Sequence, residues 1–228
     1  MSGKINGNIF LAVGTLTLII FVIGIFVGIW LDQTRVEEIK KSVEEILITW
    51  EDAKLQNLYF LTFPLKGQCD SAIKQNIEFS DKVYYSLGKM LEQYEEANKL
   101  SPELIYEKEK YVMLKLQFWF NSIYLKDKCN ASYVNLVYFY SHFTDNILLQ
   151  QNQEAESIIL SELKEEYGNK ILLIPLPIDM NITTIEIIKN NFNITSTPTI
   201  LINEEIKLVG LQSKESLKKI MEPLLLNQ

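Results

Sequence analysis

The sequence has few of the residues that build metal sites and nucleic-acid surfaces. Two cysteines and one histidine in 228 residues are too few for a structural zinc site, which needs four such ligands. The net charge is −7 and no lysine or arginine run exceeds two residues, whereas nucleic-acid binding depends on clustered positive charge. A glycine-rich phosphate loop is also missing. We therefore expect no metal, no cofactor and no nucleic-acid partner.

Charge is also absent from residues 9–30, which read IFLAVGTLTLIIFVIGIFVGIW. As a helix this segment is about 33 Å long, enough to cross a hydrocarbon core of about 30 Å. It is longer than the apolar part of a cleaved signal peptide, and Trp30 lies where an interfacial ring is expected. The sequence therefore predicts an uncleaved, single-pass membrane anchor within residues 1–31.

The sequence gives conflicting signals for membrane orientation. Arg35, Lys40 and Lys41 follow the apolar segment and only Lys4 precedes it, which favours a cytoplasmic C-terminal part. An even number of cysteines suits an oxidising compartment, and three Asn-x-Ser/Thr sequons follow the anchor. The candidate glycosylation sites are Asn130, Asn181 and Asn193. We expect a cell-membrane protein whose C-terminal part is extracytoplasmic.

Residues 32–130 read as a helical stem or hairpin module, with predicted helices at 32–60, 69–98 and 102–128. In the first of these helices the apolar residues alternate at spacings of three and four. They are Val36, Ile39, Val43, Ile46, Trp50 and Ala53. We expect this face to pack within the chain. The alternative is parallel pairing of two chains into a homodimeric stalk, which Gly24-x-x-x-Gly28 in the anchor would suit.

The two cysteines stand at corresponding ends of the second and third predicted helices. Cys69 begins one and Cys129 ends the other, so antiparallel packing would bring the thiols together. We predict a structural disulfide between them, worth about 4 kcal/mol in the chain-entropy model. A redox-active or intermolecular pair is the alternative.

From residue 131 the pattern changes to alternating strands and helices, which predicts an α/β domain over 131–228. The predicted strands are 134–140, 170–176, 199–202 and 206–209, and the predicted helices are 146–167, 183–191 and 213–226. Gly168 is a plausible C-cap and Ser213 a plausible N-cap. The order is βαβαββα.

Residues 194–210, ITSTPTILINEEIKLVG, resemble the second half of a thioredoxin fold. The Thr197-Pro198 pair opens an apolar strand, a tight turn follows, and a second short strand runs into Gly210. A proline usually interrupts an interior strand, and the resemblance implies a cis peptide bond before Pro198 that resolves this conflict. The likeness to the thioredoxin-like superfamily covers residues 133–228. The whole chain resembles archaeal-type, single-span proteins with a helical stem and a C-terminal thioredoxin-like domain.

The chain departs from that family where a Cys-x-x-C motif would follow the first strand. Thr144 or Asp145 falls at the nucleophile position, and Ile147 or Leu148 at the resolving position. None of these side chains can exchange disulfides, and His142 lies beside no nucleophile that would complete a triad. We therefore predict a redox-inactive domain in which Thr144 or Asp145 caps the next helix.

The resemblance implies that a peptide-binding groove survives the loss of the thiols. In the family, the residue before the cis-proline pairs with an extended peptide. That residue is Thr197 here, with Pro198, Asp145 and Leu148 around it. We predict protein binding or assembly at the membrane. The alternatives are a thiol–disulfide oxidoreductase using Cys69 and Cys129, a dimeric stalk, or a scaffold whose groove the third helix covers.

Overall fold

A computed structural model gives the structure of the chain and describes residues 7–62, 67–82, 88, 91 and 102–226. The helices are α1 (Gly7–Thr62), α2 (Cys69–Lys82), α3 (Pro102–Cys129), α4 (Ile147–Tyr167), α5 (Thr183–Phe192) and α6 (Lys214–Leu226). The strands are β1 (Val134–Tyr140), β2 (Ile171–Pro177), β3 (Thr199–Ile202) and β4 (Ile206–Val209). The predicted elements after residue 101 are confirmed to within one residue at each end. Most of the predicted second helix beyond Lys82 lies outside the described residues.

The predicted anchor and the predicted first stem helix form one continuous helix, α1. Its segment Phe10–Thr34 is long and apolar enough to cross a membrane, and the large apolar side chains there are exposed. Farther along, Val36 and Leu47 pack against the core that contains α2 and α3. Of the six apolar positions predicted to share a face, only Val36 is among the side chains that the structure describes.

The four strands form one mixed sheet in the order β2-β1-β3-β4. β1 and β2 are parallel and are joined through α4, whereas β3 is antiparallel to both β1 and β4. Pro175 and Pro177 lie in β2, at an edge of the sheet, where a missing backbone donor is tolerated. The predicted βαβαββα order is therefore confirmed. The Thr197–Pro198 peptide bond is cis, as the resemblance implied.

Helices cover both faces of the sheet, and each face has its own apolar core. One core joins α2, α3 and α5 to side chains such as Phe139 and Leu201. The other joins α4 and α6 to the opposite side chains, such as Leu136 and Ile200. This alternation follows from the two-residue period of a strand. The predicted domain boundary at residue 130 stays a prediction, and α3, which precedes it, packs directly on the sheet.

Trp119 is the largest fully buried side chain at the contact between α3 and the sheet. Its ring lies 6.4 Å from that of Phe139 in β1 and 6.0 Å from that of Phe192 in α5. The indole Nε1 donates to Glu204 Oε1 at 2.6 Å. Because a buried indole N–H needs an acceptor, this bond links α3 to the turn between β3 and β4.

That turn is built by Asn203 and Glu204, both with positive φ, at 48° and 60°. Two left-handed residues match the twist of a tight hairpin. The side chain of Asn203 accepts from the backbone N–H of Asn135 at 2.9 Å and from Lys126 Nζ at 2.6 Å. Asn135 Nδ2 also donates to Glu204 at 3.0 Å. Burial lowers the pKa of Lys126. The turn therefore fixes the amino end of β1.

Cys69 and Cys129 form a disulfide, which confirms the predicted pairing. The bond joins the start of α2 to the end of α3, as antiparallel helices require. Asn121 Nδ2 donates to Asn76 Oδ1 at 2.7 Å between the same two helices. The cysteine pair therefore lies next to the amino end of β1, which begins five residues after Cys129.

Candidate functional site

The loop between β1 and α4, residues 141–146, occupies the place of the redox motif and is held by long-range hydrogen bonds. The buried side chain of Gln153 accepts from the backbone N–H of Ser141 at 2.6 Å and donates to its carbonyl at 3.0 Å. Tyr138 in turn donates its hydroxyl to the Gln153 carbonyl at 2.9 Å. Burial raises the pKa of Tyr138, so this hydroxyl remains a donor.

Asp179, just after β2, holds the next part of the loop. Its two carboxylate oxygens accept from the backbone N–H groups of His142 and Phe143, each at 2.8 Å. Sequence reasoning missed this residue. The available signal was a carboxylate just after a strand parallel to β1, since the carboxyl ends of parallel strands lie at the same edge of a sheet.

Asn146, and not Thr144 or Asp145, caps α4, so the capping prediction was wrong. Asn146 Oδ1 accepts from Leu149 N at 3.1 Å, and its backbone is extended. Asparagine is among the best N-cap residues, and α4 begins at the residue after it. Thr144 Oγ1 instead accepts from Asn146 N at 3.3 Å, while its carbonyl accepts from Gln150 Nε2 at 2.6 Å.

The cis-proline turn meets this loop at its first residue. Phe139 pairs with Thr199, so Thr197 stands opposite Ser141, and the hydroxyls of Thr197 and Ser141 are 3.0 Å apart. Pro198 is buried, and its carbonyl accepts from Gly210 N at 2.8 Å. The structure thus brings two of the four predicted groove residues against the start of the loop.

Of the other two predicted groove residues, Asp145 lies at the far end of the loop and Leu148 in the first turn of α4, and both are exposed. Leu148 is 67% exposed, Ile147 69% and Phe143 54%. We call these three apolar side chains the loop patch. Within the described part of the chain α3 does not cover this patch. Sequence reasoning identified Leu148 but not Phe143, because it considered only the positions that correspond to the Cys-x-x-C motif and their neighbours.

The loop offers no thiol, and the only histidine is already engaged. His142 Nδ1 is 3.0 Å from Lys108 Nζ on α3, and the imidazole packs edge-on against Phe143 with ring centres 4.4 Å apart. Both cysteines are in the disulfide at the opposite end of β1. The loop can therefore present apolar and polar side chains to a partner, but it holds no group that exchanges disulfides.

A buried carboxyl group lies on α4 behind the loop. Glu156 is fully buried, and its Oε2 accepts from Gln212 N at 2.7 Å. Burial raises the pKa of Glu156 to about 7, while the bond from Gln212 opposes this shift. Within the described residues Oε1 has no hydrogen-bond partner. Glu156 thus keeps its proton in mildly acidic solution, where an ordinary carboxyl group has lost it, a property that sequence pattern did not reveal.

The three candidate glycosylation sites lie on the surface. Asn130, Asn181 and Asn193 are all exposed. Asn130 and Asn193 have positive φ at element ends, at 51° and 52°, and asparagine tolerates this conformation better than most residues. Each side chain is accessible to modification, and glycosylation of these asparagines stays a prediction.

No protein-family model matches the chain, and no curated protein matches its sequence. Comparison of the structure with solved structures finds a malarial protein at 23% identity, covering 41% of this chain and 98% of that one, with a TM-score of 0.32. Thioredoxin-2 of the malaria parasite protein secretion machinery is 23% identical. That match covers 40% of this chain and 82% of that one, with a TM-score of 0.33. The Drosophila melanogaster thioredoxin Deadhead is 17% identical. That match covers 46% of this chain and 93% of that one, with a TM-score of 0.32.

The order and directions of the four strands and the cis-proline turn carry the fold assignment without these comparisons. Residues 134–226 have a thioredoxin-like fold, preceded by helices that include one apolar enough to cross a membrane.

Proposed function

We propose that this protein is a membrane-anchored, redox-inactive thioredoxin-like protein that binds an extended segment of a protein partner on the extracytoplasmic face. The observation that carries the proposal is the loop patch. Phe143, Ile147 and Leu148 are each more than half exposed and lie within six residues of one another. They follow Ser141, whose hydroxyl contacts that of Thr197 in the cis-proline turn. Exposed apolar clusters on a protein surface favour interaction with a partner.

Thr197 supplies the backbone part of this proposed groove. In the described part of the chain, neither its N–H nor its carbonyl takes part in a backbone hydrogen bond. An extended peptide can pair with such groups as an added strand, while apolar pockets select its side chains. In this arrangement Thr197 orients the peptide, and Leu148 contacts its apolar residues. Asp145 adds a negative charge beside them.

Three observations support the membrane and the extracytoplasmic side. The segment Phe10–Thr34 has the length and composition of a membrane span. The disulfide suits an oxidising compartment, and all three sequon asparagines are accessible. A helix continuous from this span to Thr62 would hold the folded part near the bilayer.

The oxidoreductase alternative is less well supported, because the cysteine pair and the groove lie at opposite ends of β1. That strand has seven residues, which corresponds to about 23 Å at about 3.3 Å per residue. The part of a substrate held at Thr197 would therefore lie about the length of β1 away from the disulfide. The stalk alternative rests on apolar positions of α1 whose side chains mostly lie outside the described residues.

Site-specific photo-crosslinking tests the proposed groove in membranes of the native host. A photoreactive phenylalanine analogue replaces Leu148 in the full chain, and the matched control carries it at Ile187, an α5 side chain of similar exposure, 62%. We expect a discrete protein adduct from position 148 only. Leu148→Ala should weaken co-purification of the same partner, and Ile187→Ala should not. Equal adducts from both positions would contradict the groove.

Pro198→Ala extends this test to the other side of the groove. We expect it to weaken capture of the same partner, provided that the circular dichroism spectrum shows a folded chain. If neither Leu148→Ala nor Pro198→Ala weakens capture of the partner, the peptide-binding proposal is wrong.

Thiol counting on native membranes tests the side of the membrane. Cys69 and Cys129 are alkylated before and after reduction and read by mass. We expect both to be blocked until reduction, as in an oxidising compartment. Two free thiols would instead place the domain in the cytoplasm and reopen the redox alternative.

A further inference from the structure

The buried carboxyl group of Glu156 is connected to the cis-proline turn by consecutive hydrogen bonds. Glu156 Oε2 accepts from Gln212 N at 2.7 Å. Gln212 Nε2 donates to the carbonyl of Gly210 at 2.9 Å, and Gly210 N donates to the carbonyl of Pro198 at 2.8 Å. The path therefore leads from α4 to the residue that follows Thr197 in the proposed groove.

The helix that carries Glu156 also holds the opposite side of that groove. Gln153 lies three residues earlier on α4, and its side chain bonds the backbone N–H and carbonyl of Ser141 at 2.6 Å and 3.0 Å. The hydroxyl of Ser141 in turn lies 3.0 Å from that of Thr197. A change at Glu156 would thus act close to both walls of the groove.

The site favours the neutral form of Glu156. The side chain is fully buried, and Oε1 has no hydrogen-bond partner among the described residues. A carboxylate there would hold a charge away from water with one oxygen unbonded, which costs free energy. Burial accordingly raises the pKa of Glu156 to about 7, and the bond from Gln212 N opposes the shift.

The sheet and the segment 210–213 supply no cation to Glu156. On β1, burial and then the nearby Glu156 raise the pKa of Tyr138, so this phenol stays neutral. The ring of Tyr140 stacks on that of Tyr138, with centres 5.7 Å apart. The segment 210–213 and β3 contain no titratable side chain. Lys207 of β4 donates to the carbonyls at the end of α5.

The charged side chains of α4 and α6 are engaged elsewhere or exposed. Lys214 lies 2.8 Å from Glu162 and 3.5 Å from Glu166, and Lys218 also pairs with Glu166. Lys164 donates to backbone carbonyls at the end of α4. The other charged residues of these helices are exposed, and they are Glu154, Glu165, Glu215, Lys219 and Glu222. Ionisation of the buried carboxyl group is therefore balanced by no buried ion pair within the described part of the chain.

We propose that Glu156 is a protonation switch of the groove. Its neutral form holds the segment 210–213 and the cis-proline turn in place, and its ionised form loosens them and releases the bound segment of the partner. The release rests on the proposed function, whereas the loosening does not. The physical reason is that an ionised carboxyl group is stabilised by water, and movement of the segment that contains Gln212 would admit water to it.

The pH dependence has a definite direction. When the segment 210–213 opens, Glu156 regains the ordinary pKa of 4.5, whereas in the closed form its pKa is about 7. The open form therefore binds fewer protons between these values, and a rise in pH favours it. Opening should increase from about pH 4.5 to about pH 7 and stay constant at higher pH, where Glu156 is ionised in both forms.

Hydrogen exchange at single amides of the full-length chain in detergent micelles tests the loosening without a partner. The protection factors of Gly210 N and Gln212 N, which correct for the intrinsic effect of pH on exchange, are measured from about pH 5 to about pH 8. We expect both to fall about tenfold or more up to about pH 7 and then to level off. The amide of Val137 in the interior strand β1 reports global unfolding and should be more protected at every pH.

Glu156→Gln should abolish this pH dependence, because Gln keeps an oxygen for Gln212 N and does not titrate. Glu215→Gln is the matched control at an exposed position on α6, and it should behave like the unaltered chain. If Glu156→Gln does not fold, as judged by circular dichroism, Glu156→Met is the second variant that does not titrate, and its protection should also be independent of pH. Protection of Gly210 N and Gln212 N that is constant with pH overturns the switch. An unchanged pH dependence in Glu156→Gln, or equal protection of Gly210 N and Val137 N, also overturns it.

Photo-crosslinking from position 148 in native membranes tests the release. The yield of the partner adduct should fall as pH rises from about 5 to about 7 in the chain with Glu156, and should stay constant in the Glu156→Gln background. An adduct yield that does not change with pH, together with pH-dependent exchange, overturns the release. PH-dependent exchange without an adduct at any pH contradicts the proposed function and supports the switch alone.

Discussion

The two ends of β1 use polar groups in opposite ways. At the amino end, the half-buried Glu204 accepts from the buried side chains of Trp119 and Asn135, which links α3 to the β3–β4 turn, and the disulfide lies nearby. At the carboxyl end, Gln153 and Asp179 hold the loop backbone. There, the apolar side chains of the loop patch remain exposed.

The amino end of β1 therefore contributes mainly to stability, and the carboxyl end to the proposed recognition of a partner. Buried polar groups stabilise a fold only when each has a partner, and Trp119 and Asn135 at the amino end meet that condition through Glu204. The carboxyl end holds its backbone with side chains, so a loop without thiols keeps its shape. Substitutions should therefore affect unfolding at one end and binding at the other.

The largest effect is expected from Trp119→Ala. Removal of a fully buried indole leaves a cavity and deprives Glu204 of a donor, so the free energy of unfolding should fall by about 3–5 kcal/mol. Chemical unfolding of the full-length chain in detergent micelles measures this. Phe143→Ala at the other end, where the ring is 54% exposed, should change it by less than about 0.5 kcal/mol. Similar losses of unfolding free energy in Trp119→Ala and Phe143→Ala would contradict the expected difference between the two ends of β1.

The disulfide should stabilise the same end by a comparable amount. It joins residues 60 positions apart, and the chain-entropy model gives about 4 kcal/mol for such a loop. Combined Cys69→Ser and Cys129→Ser substitutions should lower the free energy of unfolding by about that amount. Reduction of the unaltered chain should have the same effect. A reduced chain as stable as the oxidised one would refute this prediction.

Glu156 should make stability depend on pH. Its pKa of about 7 in the folded chain exceeds the ordinary value of 4.5, so the folded chain keeps a proton that the unfolded chain releases. The contribution of Glu156 to the free energy of unfolding should therefore be fully present below about pH 4.5 and should fall by up to about 3 kcal/mol as pH rises to about 7.

Glu156→Gln isolates this contribution, because Gln keeps an oxygen for Gln212 N and cannot titrate. The difference in unfolding free energy between the unaltered chain and this variant should vary with pH over that interval. Glu215→Gln, at an exposed position on α6, should show no such variation. A flat difference for Glu156→Gln would mean that the carboxyl group titrates normally.

Among the changes that should lower stability measurably, the smallest effect is expected from Asp179→Ala. Loss of the acceptor for His142 N and Phe143 N should lower the free energy of unfolding by about 2 kcal/mol. Hydrogen exchange of these two amides should become faster. Asp145→Ala, an exposed aspartate in the same loop, is the control and should leave both amides protected. Unchanged exchange in Asp179→Ala would show that other contacts hold the loop.

Local signals in the sequence predicted much of the fold and part of the candidate site. The spacing of apolar residues predicted the strands and helices after residue 101. Ser213 caps α6, as its position suggested, and its hydroxyl accepts from Ser216 N at 3.2 Å. Two cysteines at matching helix ends predicted the disulfide. The cap of α4 was assigned one or two residues early, because Thr144, Asp145 and Asn146 are all good capping residues.

Contacts between distant residues were not predictable in this way. Trp119 and Glu204 are 85 residues apart, and His142 and Asp179 are 37 apart. No local period links such pairs, since their contact depends on the order and register of the strands between them. For the same reason the sequence did not show the burial of Glu156.

The sequence by itself determined the local chemistry: an apolar segment long enough for a membrane, turn and cap residues, and a motif position without thiols. These follow from side-chain types and short spacings. The tertiary structure alone decided which carboxyl group is buried and which aspartate holds the loop. Those properties arise from packing helices on both faces of the sheet, which joins residues that are distant in the chain.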